Sequence, residues 1–468
     1  MTEPRYYLLP FDFTVISGQE VLVNELGDMI ICPLGTVTEI VDRSLAKDDL
    51  YKTLVANFFI SEQMIPPLAE VYAERLREKK RFLESWTGLH IFVLTLRCNQ
   101  NSVYCQASSR TQYSHDCSMS RHTMAKAVEL MMRSPSPSIT MEFQGGEPSL
   151  MPNLIEYGIE LAEERNRTAH KELHYVLCTN SISVTERLMD ICSKYGVVIS
   201  TSLDGPEFLH NSNRGKHDSY ENVVQGIAKW RKAVGYDKVS ALMTTSIKGL
   251  DYPVEIVDEY LKLGFNSIFL RALNPYGQAD NNSAGREYTE RFIEFYKIAF
   301  EHILELNKKG TFFVEEFASI VLRKMLTPYC TGFVDLQSPA GLINSVLVYN
   351  YDGGVYCSDE SRMLAEDGDF TFRLGSVDDS YESLVFGKKA KEIANVWANE
   401  ALAGCSDCAV RQFCGADPVR NHSTQGDIYG HRPTSLLCHK NKSIIEYLIS
   451  LIIDRHDEVM PIFRSWVS

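Results

Sequence analysis

Four cysteines near the C-terminus have the spacing of a metal or cluster site. Cys405 and Cys408 are separated by two residues, Cys414 follows after five more, and Cys438 after a further 23. Four thiolates at this spacing fit either one tetrahedral zinc ion or one [4Fe-4S] cluster, because both accept ligation by four cysteines. The residues alone leave both alternatives open.

A second pair, Cys98 and Cys105, lies in a loop that follows an apolar, strand-like run. Ser102 stands between the two cysteines, and Tyr104 directly precedes the second one. The loops that follow the strands of a βα barrel are where such a fold places its active site. Two cysteines seven positions apart carry little weight by themselves, so their interpretation depends on motifs further along the chain.

The second predicted strand ends in Gly145, Gly146, Glu147 and Pro148. Glycines allow a backbone to approach a ligand closely, and a carboxylate complements the ammonium group of an amino acid. The structural alternative is a tight turn in which glutamate and proline begin a helix.

The fourth predicted strand ends in Ser202 and Asp204, and Arg214 follows ten residues later. A guanidinium can bind a carboxylate with two parallel hydrogen bonds. Asp204, Gly205 and Pro206 by themselves are residues that commonly form a turn. Their place at a strand end, in step with the two earlier motifs, favours a functional role.

The elements that position these motifs alternate between strands and helices from about residue 88 to 310. Strands are predicted at 89–97, 139–144, 173–179, 197–203, 239–245 and 267–272, and helices near 121–133, 152–166, 184–194, 219–234 and 251–263. This order is typical of βα units around a parallel sheet. It predicts a partial, TIM-like (β/α)6 barrel, although a complete eight-stranded barrel or an open doubly wound sheet would give a similar pattern.

Three domains are predicted: an N-terminal α+β unit at 1–85, the barrel at 86–310, and a cysteine-rich extension at 311–468. The first shows strand-like alternation at 20–24 and 29–31, then helical segments near 47–60 and 61–82. The last begins with a predicted hairpin, 345–349 and 354–356, and ends in an apolar helical segment, 444–453, too short to span a bilayer.

Composition narrows the function classes. The chain has 468 residues, 44% of them hydrophobic, a formal net charge of -14 and a pI near 5.4, which argues against a protein that binds nucleic acid through clustered Lys and Arg. The sequence shows no signal-peptide pattern and no apolar run of membrane length, so a cytoplasmic location is expected. Twelve cysteines in a reducing compartment favour metal or cluster ligation over disulfides.

The cysteine loop resembles the cluster loop of radical S-adenosylmethionine (SAM) enzymes, C-x3-C-x2-C, with Ser102 in the middle position. The resemblance implies a [4Fe-4S] cluster at Cys98, position 102 and Cys105, and a bound SAM. It also implies that the residues near SAM are Tyr104, Gly145, Gly146, Glu147, Ser202, Asp204 and Arg214, the last on the SAM carboxylate.

The C-terminal cysteines are similar to the SPASM extension of peptide-modifying radical SAM enzymes, where they bind an auxiliary [4Fe-4S] cluster. A second auxiliary cluster would need a cysteine at position 418, which is Pro418 here. A single auxiliary cluster at Cys405, Cys408, Cys414 and Cys438 is therefore predicted, with Cys330 and Cys357 unligated.

Over nearly its full length the chain resembles the HxsB family, radical SAM maturases of His-Xaa-Ser peptide systems, through segments 7–11, 134–138, 269–271, 273–277 and 414–418. This implies a ribosomally made precursor peptide with His-Xaa-Ser repeats as substrate, a second radical SAM protein (HxsC) and a small accessory protein (HxsD). Cleavage of SAM would yield a 5′-deoxyadenosyl radical. The N-terminal unit is a candidate peptide-recognition module that adds the peptide as a strand.

Ser102 decides between two functional classes. A serine hydroxyl is a hard, high-pKa ligand and binds iron poorly compared with a thiolate, so the site is expected to be an engineered inactivation, a natural loss, or a site rescued by the serine oxygen or Cys117. The chain is then a peptide-modifying enzyme whose active form has cysteine at 102, or a non-catalytic scaffold for an active maturase. A zinc-binding interaction protein is a third reading. Asp359 and Glu360 are candidate catalytic bases.

Overall fold

The computed structural model describes residues 5–64, 66–277 and 285–467. Within these ranges, no helix is both long and apolar enough to cross a bilayer. The strands and helices are given below in chain order.

The N-terminal unit is a three-stranded antiparallel sheet with helices packed on one face. The order of its sheet is β2-β3-β4, and β1 and β5 form a separate two-stranded ribbon. The strands and helices of this unit are β1 Tyr7–Leu8, β2 Phe11–Ile16, β3 Gln19–Asn24, β4 Met29–Pro33, α1 Thr36–Val41, α2 Asp49–Ala56, β5 Ile60–Ser61 and α3 Ala69–Lys79. Alternation along β3 sends Leu22 into the unit's own core, whereas Val21 and Val23 join the main core of the chain. The sheet is therefore packed on both faces.

The middle of the chain alternates strands and helices as predicted. Its elements are β6 Leu89–Thr95, β7 Arg97–Cys98, β8 Arg110–Thr111, α4 Arg121–Arg133, β9 Ser138–Gly145, α5 Pro152–Ala169, β10 Glu172–Thr179, α6 Glu186–Tyr195, β11 Val198–Ser202, α7 Glu207–Arg214, α8 Ser219–Val234, β12 Val239–Leu242, α9 Pro253–Lys262, β13 Ser267–Ile268 and α10 Arg286–Lys308. Helix α4 begins where predicted because the Ser120 hydroxyl accepts a hydrogen bond from the Thr123 N–H.

The C-terminal part contains the hairpin, a run of short elements and two long helices. Its elements are β14 Val314–Glu315, α11 Glu316–Leu326, β15 Val346–Tyr349, β16 Gly354–Tyr356, α12 Asp359–Glu366, β17 Arg373–Ser376, α13 Tyr381–Phe386, α14 Lys388–Ala394, α15 Pro418–Gln425, α16 Leu436–Asp454 and α17 His456–Val467. The apolar segment predicted at 444–453 is the second half of α16.

One mixed sheet organises the described molecule, with eight strands in the order β12-β11-β10-β9-β6-β15-β16-β17. The six strands from β12 to β15 are parallel, and β16 and β17 follow antiparallel to their neighbours. The sixth predicted strand, β13, is only two residues long and pairs with β14, while an isolated bridge joins Thr245 to Ala272. The predicted fold class, a partial TIM-like barrel with an N-terminal α+β unit and a cysteine-rich C-terminal region, is confirmed.

The predicted hairpin forms, but its first strand pairs with the barrel. Strand β15 runs parallel to β6, with Val346 opposite Leu89. The sheet therefore continues across the predicted boundary at residue 310, and the division of the chain into three domains stays a prediction.

Candidate active site and auxiliary cysteine loop

The cysteine loop leaves the sheet at the carboxyl end of β6, as the sequence predicts. Backbone bonds fix its two ends: the Leu96 N–H donates to the Cys117 carbonyl at 2.9 Å, and the Arg110 N–H donates to the Leu96 carbonyl at 2.7 Å. The short strand β7, which carries Cys98, pairs with β8. The loop is thus closed on itself at the mouth of the barrel, where the carboxyl ends of parallel strands converge.

Hydrogen-bond donors face the Cys98 thiol, which is half-buried. The Gln100 N–H lies 3.4 Å from its Sγ and the Asn180 amide 4.0 Å from it. Burial, with the nearby Glu147 carboxylate, raises the pKa of this thiol to about 11. Donors of this kind stabilise a thiolate bound to iron, whereas the free site favours the protonated thiol.

Cys105 is also half-buried, and its Sγ lies 3.1 Å from the Ser109 hydroxyl and 3.5 Å from the Ser109 N–H. Ser102 belongs to the same turn, because its carbonyl accepts the Cys105 N–H at 3.1 Å. The chain therefore offers two thiols and one hydroxyl to the cluster, so the ligand set fits a three-cysteine cluster only in part. Cys117, the alternative ligand, is fully buried in an apolar cluster with Leu96.

The glycines after β9 are required by a close approach to β6. Gly146 donates its N–H to the Thr95 carbonyl at 2.7 Å, and Glu147 donates to the Arg97 carbonyl at 2.8 Å. A Cβ on Gly145 would lie 2.2 Å from the Thr95 oxygen, and one on Gly146 would lie 2.5 Å from the Arg97 oxygen. Any larger residue would separate this turn from the cysteine loop.

The Glu147 carboxylate is fully buried and accepts three hydrogen bonds from the chain itself. The donors are the Ser149 N–H at 3.0 Å, the Thr179 hydroxyl at 2.7 Å and the Asn180 N–H at 2.7 Å. The first of these caps a short 3-10 helix, Pro148–Leu150, as the structural alternative predicts. Burial raises the pKa of Glu147. Its assignment to the SAM site stays a prediction.

Asp204 and Arg214 form a buried ion pair. The guanidinium donates to the two carboxylate oxygens at 3.0 and 2.9 Å, and the Tyr104 hydroxyl donates to the same carboxylate at 2.6 Å. Despite burial, Arg214 keeps the pKa of Asp204 below its ordinary value. Tyr104, in the cysteine loop, is thereby joined to the end of β11, where Ser202 also lies. The predicted contacts of Ser202, Asp204 and Arg214 with SAM remain untested.

A polar chain of four groups links the cysteine loop to helices α7 and α8. The Asp204 N–H donates to His210 Nδ1 at 3.3 Å, so the ring carries its proton on Nε2 and donates it to the Ser219 hydroxyl at 3.0 Å. Gln100, from the cysteine loop, donates to the same hydroxyl at 2.6 Å. The cysteine loop is therefore held by the elements that carry Asp204.

The four C-terminal cysteines lie close enough to influence one another. Burial is the main cause that raises the pKa of Cys405 to about 11. The charges of the other three cysteines raise this pKa further, whereas the Arg432 guanidinium lowers it. Arg432 donates to the Cys405 sulfur at 3.6 Å and Asn441 to the Cys414 sulfur at 3.8 Å. All four are half-buried.

Throughout the described ranges, no three His, Cys, Asp or Glu side chains are arranged to hold a single metal ion. A four-iron cluster spaces its thiolates more widely than one ion does, and N–H donors to sulfur are what such clusters use. The four thiols and the donors to their sulfurs are compatible with such a cluster, and its presence stays a prediction. Cys357 is fully buried, whereas Cys330 is half-buried and near Lys79; the prediction that both are unligated stays open.

Asp359 and Glu360 begin helix α12, which Ser358 caps. Asp359 pairs with Arg362 at 2.9 Å, and Arg362, itself 1% exposed, also donates to the Ala107 carbonyl of the cysteine loop at 3.2 Å. Among the residues that the structure describes, Glu360 has no such partner, and burial together with three nearby carboxylates raises its pKa. The structure thus ties Asp359 to the cysteine loop through an arginine that sequence reasoning missed.

The interior face of the barrel holds a second group that sequence reasoning missed. Ile139, Met141 and Phe143 of β9 are fully buried against the helices, so Glu142 and Gln144 face the other side. Burial raises the pKa of Glu142, which interacts with Cys178 and Asp359. Cys178 stands in an apolar run of β10, and the strict alternation of burial along β9 and β10 is the signal that it faces the barrel interior.

Comparison with known proteins finds similarity that includes the barrel. Residues 92–260 match the sequence model of the Radical SAM superfamily. The chain is 23% identical over 252 residues to the radical SAM cyclopropyl synthase TigE of Paramaledivibacter caminithermalis, covering 50% of this chain and 52% of TigE, about half of that relative's length. It is 22% identical over 334 residues to the cysteine-type anaerobic sulfatase-maturating enzyme of Clostridium perfringens, covering 66% of this chain and 86% of that one.

Solved structures agree in fold. Native anSMEcpe with bound AdoMet superposes with a TM-score of 0.62 at 18% identity, covering 79% of this chain and 100% of that one. Streptococcus suis SuiB bound to its precursor peptide SuiA gives a TM-score of 0.54 at 11% identity, covering 92% of this chain and 99% of SuiB. Residues 92–260 thus match the Radical SAM model, and the chain shares its fold with these solved structures.

Proposed function

We propose that this chain is a radical SAM maturase that modifies a ribosomally made precursor peptide, with a cluster loop that Ser102 makes degenerate. One observation carries the proposal. The cysteine loop, the Gly-Gly-Glu-Pro turn and the Asp204–Arg214 pair follow the carboxyl ends of β6, β9 and β11, parallel strands of one sheet, and Tyr104 bonds to Asp204 at 2.6 Å. The structural likeness to peptide-modifying maturases supports a peptide as substrate.

The cofactors, when bound, supply a 5′-deoxyadenosyl radical by reductive cleavage of SAM. The chain would hold the cluster with Cys98, Ser102 and Cys105. The SAM-site set would be Tyr104, Gly145, Gly146, Glu147, Ser202, Asp204 and Arg214. Asp359, oriented by Arg362, is the better-placed proton acceptor, because its partner also bonds to the Ala107 carbonyl at 3.2 Å. The auxiliary cluster would be held by Cys405, Cys408, Cys414 and Cys438.

The N-terminal unit is proposed to recognise the precursor peptide by strand addition, with His-Xaa-Ser repeats, HxsC and HxsD as the expected substrate and partners. Strand β2 lies at the edge of its sheet, and its side chains Phe13 and Val15 are 51% and 54% exposed. We expect Phe13→Ser to weaken binding of the precursor peptide about tenfold in fluorescence anisotropy. Phe370→Ser, at a similarly exposed site elsewhere, is the control; equal affinity in both variants would contradict the proposal.

The second candidate is a non-catalytic scaffold, and Ser102 is the observation that favours it. Iron analysis of anaerobically reconstituted protein should give about four irons per chain with Ser102 and about eight after Ser102→Cys. Only the cysteine variant is then expected to form 5′-deoxyadenosine from SAM, with Ser109→Cys as the matched control. A Ser102→Cys protein that gains iron but cleaves no SAM would favour the scaffold, and zinc without iron would exclude both candidates.

A further inference from the structure

Arg411 lies inside the auxiliary cysteine loop, but its side chain points to the N-terminal unit. Its guanidinium pairs with Asp12 of β2 at 3.0 Å and also with Glu25, which follows β3. Arg411 is only 8% exposed. A planar guanidinium can bond two carboxylates at once, so one buried side chain joins two strands of the N-terminal sheet to the loop.

The backbone of Arg411 is part of the turn that sets the two nearest cysteines. Its N–H donates to the Cys408 carbonyl at 3.0 Å, and its carbonyl accepts the Cys414 N–H at 3.2 Å. The Asn399 amide donates to the same carbonyl at 3.3 Å. The side chain that reaches the N-terminal unit and the backbone turn between Cys408 and Cys414 therefore belong to the same residue.

A second connection reaches the same loop from helix α3. Lys79 donates to the Lys324 and Thr327 carbonyls at 2.9 and 2.7 Å, at the end of α11. Lys324 in turn donates to the Cys414 carbonyl at 3.1 Å. Two separate parts of the N-terminal unit, β2 and α3, are thus connected by hydrogen bonds or ion pairs to the segment between Cys408 and Cys414.

We propose that the N-terminal unit is part of the auxiliary-cluster site, with Arg411 as a positioning residue that Asp12 and Glu25 hold in place. The proposal rests on the proposed auxiliary cluster. It means that retention of the cluster depends on carboxylates that lie at least 386 positions before Arg411 in the sequence. Partners of cluster-binding segments affect metal affinity because they fix where the ligands sit.

The full chain, reconstituted anaerobically, would be exposed to a ferrous chelator, and the rate of iron loss followed by absorbance. We expect Asp12→Asn with Glu25→Gln, and separately Arg411→Met, to lose iron about tenfold faster than the unmodified chain. Adding Arg411→Met to the double variant should bring little further change, since all three residues act through one contact. Ser17→Ala is the control, because Ser17 contacts Asp454 at the far end of α16 at 2.8 Å.

Hydrogen exchange of the iron-free chain provides a readout that needs no cluster. The Arg411 and Cys414 amides should exchange faster in the isosteric Asp12→Asn, Glu25→Gln variant. This variant tests the role of Arg411 even if Arg411→Met fails to fold. Unchanged exchange together with unchanged iron loss would overturn the proposal. An unmodified chain that binds no iron would instead overturn the auxiliary cluster, while the exchange measurement still decides the role of Arg411.

Discussion

Arg214 is the residue whose replacement tests the buried pair at the end of β11. The Asp204 carboxylate is fully buried, and only the fork of a guanidinium reaches both of its oxygens. We expect Arg214→Lys to lower the free energy of unfolding by about 2 kcal/mol, since lysine leaves part of a buried charge unpaired.

Urea denaturation measures that difference, and the chain offers a matched control. Arg291 pairs with Asp251 at 2.8 Å on the surface, with side chains 41% and 63% exposed. Arg291→Lys should change stability by less than about 0.5 kcal/mol, because exposed pairs are screened by solvent. Equal effects of the two substitutions would show that the Asp204–Arg214 pair contributes no more than a surface contact.

Ser102 shows how a single residue limits what its surroundings can do. The structure keeps the donors to both thiols, the close glycine turn and the Tyr104–Asp204 bond. Only the ligand atom at position 102 differs from the motif. The proposed loss of SAM-cluster binding therefore comes from one ligand atom, and the residues that position the other ligands stay in place.

At the scale of elements, the link between the cysteine loop and helices α7 and α8 should respond to pH through His210. Burial is the main cause that lowers the pKa of His210 to about 4, below its ordinary value of 6.5. The folded state therefore binds fewer protons than the unfolded state between these values. The stabilisation is complete above about pH 6.5 and is lost as the pH falls toward 4, by up to about 3 kcal/mol.

Unfolding measured from pH 4.5 to 7 in the parent and in His210→Gln checks this expectation. The stability advantage of the parent over His210→Gln should be full at neutral pH and should shrink as the pH falls toward 4.5, whereas His115→Gln, which replaces an exposed histidine, should follow the parent. Nitrogen NMR should find the His210 ring neutral at pH 6 with its proton on Nε2. A ring that is charged at pH 6 would contradict the assigned hydrogen bonds.

The helices and strands also show which parts of the fold could be predicted from the sequence. Helix α4 coincides with its predicted range because local signals, Ser120 and helical spacing, determine it. The sixth strand was predicted as 267–272 but is two residues long, because its pairing partner β14 is distant in sequence. Strand β2 was not predicted, although its partner β3 follows it directly after a turn at Ser17 and Gly18. The motifs at strand ends could be predicted from spacing, whereas Arg362 could not, since tertiary contacts alone bring it to the site.

For the whole molecule, one hydrophobic core joins the three predicted domains. It runs from Val21 and Val23 of the N-terminal sheet through the barrel to Phe463 and Trp466 of α17. The auxiliary loop adds polar connections between the same parts, through Arg411 to β2 and through Cys414 to α11. A cluster at this loop would therefore stabilise the chain as a whole.

Removal of the proposed auxiliary cluster should accordingly lower the thermal midpoint of the entire Ser102 chain. A ligand bound only by the folded state adds its binding free energy to folding, and iron–sulfur ligation requires the folded loop. We expect oxidation and chelation to lower the midpoint by several degrees in calorimetry, as one shifted transition. A Cys405→Ser, Cys438→Ser variant should start at the lower midpoint and not respond to the chelator. An unchanged midpoint in the parent chain would mean that the four cysteines hold nothing that contributes to folding.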